Sequence, residues 1–361
     1  MPIVAASVGA RGRADLDLRQ TTASAVSTAV GFVPARSGVT GAIVGPFAAA
    51  YPGAPMNPIP SQVRHLRRPP DARWFMARAF LPKARGLALP ALELRLAPAT
   101  APAADLQAYC ALTGQRAGAT LPLGWPQVWG FRLQMALLTD RRFPLPIWSS
   151  LQVRNRMLQH APLAAADAYA IGVRPHALRR LDKGVEVDLH CALHDRGGQR
   201  VWESLTTFYW RGRGSAQPDA APPRAASPVL DAAAAEAARW SSGHGSGWRF
   251  GALTGDYNGL HWSDRYANAF GYARAFHHPP RIAGQCLARL GVDAQAPRQQ
   301  LDLWIKGPVF YRSDLVLRRQ RAGDAELFAL QVGADPRPAL VGRWAPADAS
   351  TTLDEGAQVR G

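Results

Sequence analysis

From about residue 77 onward the apolar positions recur at two spacings, one near 3.6 residues and one of 2, and each switch marks a new element. Asp105 to Thr113 reads as a short helix stopped by Gly114. Trp125 to Thr139 reads as a longer, strongly apolar helix, with Pro126 in the first turn, where a missing N–H costs nothing. Strand-like segments follow at Trp148 to Val153, Ala168 to Arg174 and the alternating Val185 to Leu193. After the turn Asp195-Arg-Gly-Gly198 the alternation resumes from Val201 to Trp210, which predicts an antiparallel hairpin. One apolar helix followed by long antiparallel strands predicts a helix wrapped by a curved sheet, an α+β layer.

The same order recurs between Trp248 and Pro346. Helical stretches at Ser263 to Phe270 and Pro280 to Leu290 precede strands at Gln300 to Ile305, Asp314 to Gln320, Glu326 to Val332 and Ala339 to Trp344. Ala111-Leu-Thr-Gly114 returns as Ala252-Leu-Thr-Gly255, 141 positions later, so a duplication is expected. The halves are therefore bounded as 77–211 and 248–346, with 212–247 as linker and 347–361 as tail. Within the linker, 212–228 is Pro- and Ala-rich, 229–240 reads as a short Ala-rich helix, and Ser241 to Gly247 as a flexible turn. Residues 1–75 carry no sustained period and are expected to be poorly ordered, either an extension or sequence upstream of a truer start near Met76. Their Arg- and Ser-bearing texture resembles a transit peptide, but Asp15 and Asp17 and the lack of an amphipathic stripe speak against one.

Length and composition sharpen this picture. A chain of 361 residues with 47% apolar positions is enough for two ordinary cores. No run approaches the roughly 18 uninterrupted apolar residues of a membrane helix, so no span is expected. The net charge of +16 restricts partners rather than fold. It suits nucleic acid or the anionic thioester carriers coenzyme A and acyl carrier protein. No basic run is interleaved with aromatics and no helix-turn-helix pattern is present, so nucleic acid is not expected. Three scattered cysteines suit a reducing, cytoplasmic compartment. His190, Cys191 and His194 look like metal ligands, but on a strand the two histidines stand about 13 Å apart and the cysteine faces away.

The stretch that carries chemistry is Phe250-Gly-Ala-Leu-Thr-Gly-Asp-Tyr-Asn-Gly-Leu-His261. Asn258 and Gly259 force a loop between Asp256 and His261, and a loop after Gly255 can fold a carboxylate and an imidazole toward one point. Such a pair can hold a water or a hydroxyl, as addition to a conjugated thioester requires.

Together with Ser263-Asp-Arg-Tyr-Ala267 and Gly271-Tyr-Ala-Arg274, this stretch resembles the signature of MaoC-like (R)-specific enoyl-thioester hydratases and 3-hydroxyacyl-thioester dehydratases, Gly-Asp-x-Asn-Pro-aliphatic-His. The signature covers roughly 40 residues, and the resemblance extends over about 77 to 346, including Lys306-Gly-Pro-Val-Phe310. It implies a double hot-dog fold, in which two long helices are each wrapped by a curved antiparallel sheet. It further implies hydration of trans-2-enoyl to (R)-3-hydroxyacyl thioesters in fatty acid metabolism, with Asp256 and His261 as the catalytic pair on a loop supported by Gly255, Asn258 and Gly259. No separate cofactor and no metal are implied, because coenzyme A or phosphopantetheine belongs to the substrate. Tyr272, His277, His278 and Pro279 fall in the pocket or oxyanion region, and Arg274 could meet a carrier phosphate. The offset of 141 sets Gln115 against Asp256 and Thr120 against His261, so one site per chain is expected. The family's oxyanion-donating Gly falls at Pro279, which has no N–H, and Gly259 stands where the family has Pro. A thioester-binding partner subunit without turnover and a hot-dog thioesterase stay open as alternatives. So does the oligomeric state, a homodimer being one form.

Overall fold

The computed structural model describes residues 60–213, 218–219, 227–243 and 245–353. Expectations for residues 1–59, for most of 214–226 and for 354–361 lie outside the described residues.

The chain opens with strand β1 (Gln62–Leu66) and helix α1 (Ala72–Arg78), capped by the Asp71 carboxylate accepting from the Arg73 N–H at 2.7 Å. Both fall inside the stretch expected to carry little order. That expectation is corrected from Gln62 onward, because β1 gains ladder partners on β2 and α1 buries Ala72 and Phe75. The first half continues with β2 (Leu92–Ala99), α2 (Ala103–Thr113), α3 (Pro126–Leu138), β3 (Ser150–Gln159), β4 (Tyr169–Arg180), β5 (Gly184–His194) and β6 (Arg200–Arg211). The second half has β7 (Ala235–Ser241), α4 (Gly247–Thr254), α5 (Asp264–Ala269), α6 (Pro279–Leu290), β8 (Gln299–Ile305), β9 (Asp314–Ala322), β10 (Ala325–Val332) and β11 (Leu340–Pro346).

All eleven strands form one sheet in the order β1-β2-β4-β5-β6-β3-β8-β11-β10-β9-β7. Leaving β1 aside, the order is symmetric about the β3–β8 junction, where Arg154 pairs with Trp304 and Gln159 with Gln299. The expected duplication is thus visible as two copies of strand, helices and four strands. The repeated Ala-Leu-Thr-Gly is a helix stop used twice. Gly114 (φ 71°) and Gly255 (φ 81°) end α2 and α4 in the left-handed conformation. Thr113 and Thr254 each return their hydroxyl to the backbone oxygen four residues earlier, on Tyr109 and Phe250. Tyr109 and Phe250, themselves counterparts, meet with ring centroids 6.2 Å apart.

The core lies between the sheet and helices α3 and α6. On α3 nearly every position is buried, as its strongly apolar sequence demands, and the buried amides of Gln127 and Gln134 donate to the Ser204 and Thr206 hydroxyls. Side chains such as Leu133, Phe143 and Phe250 are essentially fully enclosed, each contributing about 1.5–3 kcal/mol.

Several element boundaries differ from the sequence reading. Bulges between Gln152 and Arg154 on β3, and between Pro175 and Ala177 on β4, break the alternation, so both strands run well past the predicted ends. Trp148 belongs to a 3-10 turn before β3. The helix expected at 229–240 is instead β7, which pairs antiparallel with β9 inside the supposed linker. Alanine favours helix in isolation, but a segment this short is marginal alone, and an open sheet edge captures it. The supposed tail also packs, with Leu353 buried against Leu158 and Leu205. Cys110, Cys191 and Cys286 are free and buried. No described helix is long and apolar enough to cross a membrane.

Candidate active site

The loop after α4 is built by side chains bonding to nearby backbone. The Thr254 hydroxyl accepts from the Asp256 N–H at 3.2 Å, Asp256 Oδ1 accepts from the Asn258 N–H at 3.2 Å, and Asn258 Oδ1 accepts from the Leu260 N–H at 3.2 Å. Asn258 thereby caps a 3-10 turn, Gly259–His261, that returns His261 toward Asp256. Gly259 is required there, because a Cβ would sit 2.5 Å from the Tyr266 ring. A proline at this position would meet the same wall.

The structure brings three predicted residues together. Asp256 Oδ2 lies 3.7 Å from Nε2 of His261 and 3.7 Å from Nε2 of His278. These separations exceed a direct hydrogen bond and leave room for one small oxygen bonded to both sides. His261 donates from Nδ1 to the backbone oxygen of Phe276 at 3.0 Å, which leaves Nε2 as the acceptor of the neutral ring. His278 donates from Nε2 to the backbone oxygen of Asp256 at 3.2 Å, and its Nδ1 has no partner. The two imidazoles stack with centroids 3.8 Å apart and planes 26° apart. Burial, reinforced by His261 alongside, holds His278 well below the usual histidine range, so it stays neutral. Burial raises the Asp256 carboxyl above the ordinary aspartate range, and His261 opposes that rise.

Asp256, His261 and His278 place three ligand-type atoms within 4.8 Å of one another, a spacing a small ion could use. The Nε2 hydrogen of His278, however, is committed to a carbonyl, and its other nitrogen lacks the partner that metal-bound histidines keep.

The other predicted residues are dispersed. Pro279 and Pro280 open α6, and the first helical N–H, on Arg281, is spent on the His278 oxygen at 3.1 Å. The ring of Tyr272 packs on Phe276, which in turn meets His261 edge-on at 5.0 Å. Arg274 Nη1 donates to the backbone oxygens of Tyr311 and Arg312. The His277 ring lies 4.2 Å from the Tyr311 ring, with neither nitrogen bonded. Burial first, and Arg281 second, lower it to about 3.

Sequence reasoning missed Arg281, Tyr311 and Arg132. The buried guanidinium of Arg281 reaches the backbone oxygen of Leu112 and the hydroxyl of Tyr311. A cation in the first turn of a helix runs against the helix dipole, and that was its only sequence signal. Arg132 on α3 donates to the oxygens of Ala252 and Pro70 and packs on Gly255, propping the loop from the other half. In the first half, both polar atoms of the Gln115 amide are buried without a partner, and Thr120 sits in a bridge to Ala164.

A crystal structure of HtdX from Mycobacterium tuberculosis covers 71% of this chain and 100% of its own, at 23% identity and a TM-score of 0.59. A MaoC-like dehydratase from Phytophthora capsici covers 73% and 97%, at 16% identity and a TM-score of 0.60. In sequence, 3-hydroxyacyl-thioester dehydratase X of M. tuberculosis is 31% identical over 187 residues. In fold this chain is similar to these dehydratase structures, a double hot-dog. The matched sequence spans 52% of this chain and 65% of the dehydratase. No protein-family model matches. Within the double hot-dog, the Asp256–His261 loop belongs to the second half and is braced by the first through Arg132.

Proposed function

We propose that this double hot-dog interconverts trans-2-enoyl and (R)-3-hydroxyacyl thioesters, as a hydro-lyase acting at Asp256 and His261. The reading rests on one observation: a partly buried carboxylate oxygen and an acceptor imidazole nitrogen stand 3.7 Å apart, with the imidazole tautomer fixed from behind. A water between them gives one hydrogen bond to Asp256 and one to His261 Nε2. In hydration the water oxygen bonds to Cβ, one water proton passes to the pair, and one proton is delivered to Cα. Dehydration reverses each step. The likeness to a protein named as a 3-hydroxyacyl-thioester dehydratase supports the reaction class. Coenzyme A or phosphopantetheine enters as part of the substrate.

A second reading, thioester binding without turnover, is favoured by the proline pair at the start of α6. The family's backbone donor is missing at Pro279, and losing one oxyanion donor typically costs on the order of 100- to 1,000-fold in rate. The N–H of His278, one residue earlier, is the nearest backbone donor in sequence. The two readings separate in one assay, the loss of conjugated-thioester absorbance with crotonyl-CoA and a longer enoyl-CoA. Hydration that disappears in Asp256→Asn and His261→Ala supports the first. Saturable binding of the same ligands without turnover in the wild type supports the second, and release of free thiol from acyl-CoA marks a thioesterase.

A further inference from the structure

The strand β1 and helix α1 precede the repeated hot-dog plan and have no counterpart ahead of β7 among the described residues. Together with the end of α3 they frame an open cavity of about 550 Å³, lined by Arg64, Arg78, Lys83, Asp140, Arg141 and Arg142 among others. Five basic side chains thus line a cavity that holds one carboxylate. Asp140 gathers three of them. It lies 3.0 Å from Arg78 and 2.9 Å from Arg142, with Arg64 at 3.8 Å. Arg78 is also laid over the Trp74 ring at 4.4 Å, so its fork is held before any ligand arrives. Lys83 donates to the backbone oxygens of Leu138 and Asp140, at the end of α3. Burial and neighbouring Arg78 lower its amine to about 8, a cost that an arriving anion would relieve.

Arg78 and Lys83 are joined by Ala79-Phe-Leu-Pro82, which supplies a second feature. Phe80 is 77% exposed and packs on exposed Trp148 with centroids 4.9 Å apart, and Trp148 is tied to the Ala79 oxygen. Large exposed rings beside a basic cavity offer a face on which a base can stack. The segment leading into α1 also touches the side chain that props the candidate active-site loop. Pro70, just before α1, accepts from Arg132, which packs on Gly255 next to Asp256, and α1 then runs to Arg78. Seven helical residues span about 10 Å.

We propose that this cavity and the Phe80–Trp148 shelf bind the phosphate-bearing nucleotide end of a coenzyme-A-type thioester carrier, the phosphates on the arginine cluster and the base on the rings. The identity of the carrier rests on the hydro-lyase reading above; the nucleotide site itself does not.

The test is calorimetric binding of adenosine 3′,5′-bisphosphate and of inorganic phosphate to the full chain, without turnover. Bisphosphate is expected to bind at least about tenfold tighter than phosphate, and Arg141→Glu is expected to weaken both by about tenfold or more. Phe80→Ala is expected to weaken bisphosphate alone. Arg337→Glu removes a side chain that is 87% exposed on a distant turn and controls for net charge; it should leave binding unchanged. Melting temperatures verify that each variant is folded, and Arg141→Gln serves if the charge reversal is not. Equal affinity for phosphate and bisphosphate, insensitivity to Arg141→Glu, or an equal loss in Arg337→Glu would overturn the proposal. Bisphosphate bound here by a chain with no hydratase activity would retire the reaction and keep the site. Hydration of enoyl-CoA with a KM unmoved by Arg141→Glu would do the reverse.

Discussion

The imidazole of His278 donates to the backbone oxygen of Asp256 at 3.2 Å while the same nitrogen stands 3.7 Å from the Asp256 carboxylate. One ring therefore fixes the position of the aspartate and closes the far side of the space between Asp256 and His261. Its neutrality keeps a positive charge away from His261, on which it stacks.

Asp256→Asn separates activity from stability. A carboxyl raised by burial contributes stability that is fully present below the ordinary aspartate pKa and lost as pH rises through its raised value. At pH 7 the ionised group is therefore a net cost, and the amide removes it. The variant is expected to melt about 1–3 °C higher than wild type at pH 7, with the gain disappearing toward pH 4. Hydration is expected to fall by about 10²- to 10⁴-fold. Thermal melts across that range, beside the enoyl assay, check both; a lower melting temperature at pH 7 would contradict the burial argument.

Pro279→Gly returns an N–H to the first position of α6. Turnover is expected to hold or rise, at a stability cost of about 1 kcal/mol from the freed unfolded chain. A large fall in kcat with normal folding would show that the oxyanion is stabilised elsewhere.

Gly247 starts α4 directly behind His261. A Cβ there would collide with the His261 backbone oxygen and reach the Tyr311 hydroxyl at 3.0 Å. Gly247→Ala is expected to displace His261, lowering kcat by about tenfold or more and destabilising the fold by about 1–3 kcal/mol. Kinetics and chemical denaturation together distinguish this from a harmless surface change.

Far from the site, buried Glu203 accepts from His160 at 2.9 Å and from His190 at 2.8 Å. Although burial opposes ionisation, bonds to these histidines, with Arg200 nearby, hold its carboxyl at about 2. A depressed carboxyl contributes stability present above its unfolded pKa and lost as pH falls through the folded one. Acid destabilisation from this group should therefore run from about pH 4.5 down to about 2. Glu203→Gln is expected to lose on the order of 2 kcal/mol at pH 7 and to flatten that part of the pH–stability curve. Urea titrations at several pH values measure both.

The residues that meet at Asp256 were legible to different depths. Asp256, Asn258, Gly259 and His261 lie within six positions, and the loop that joins them is written in short side chains that bond their own backbone. His278 entered the site region only through resemblance, because nothing local ties it to a residue 22 positions earlier. The repeated Ala-Leu-Thr-Gly announced the duplication, and its physical content, a left-handed glycine stop with a threonine back-bond, is equally local.

By itself the sequence determined the two-period texture, the helix stop at Gly114, the strongly apolar α3 and the Asp–His loop, since each depends on neighbours within a turn or two of chain. Only the tertiary structure decided that Ala235–Ser241 is a strand, that β1 joins β2, that Arg132 braces Gly255 from the other half, and that five cations line the cavity that holds Asp140. Those outcomes depend on which hydrogen-bonding edge or charge lies nearby in space, and segments far apart along the chain supply it.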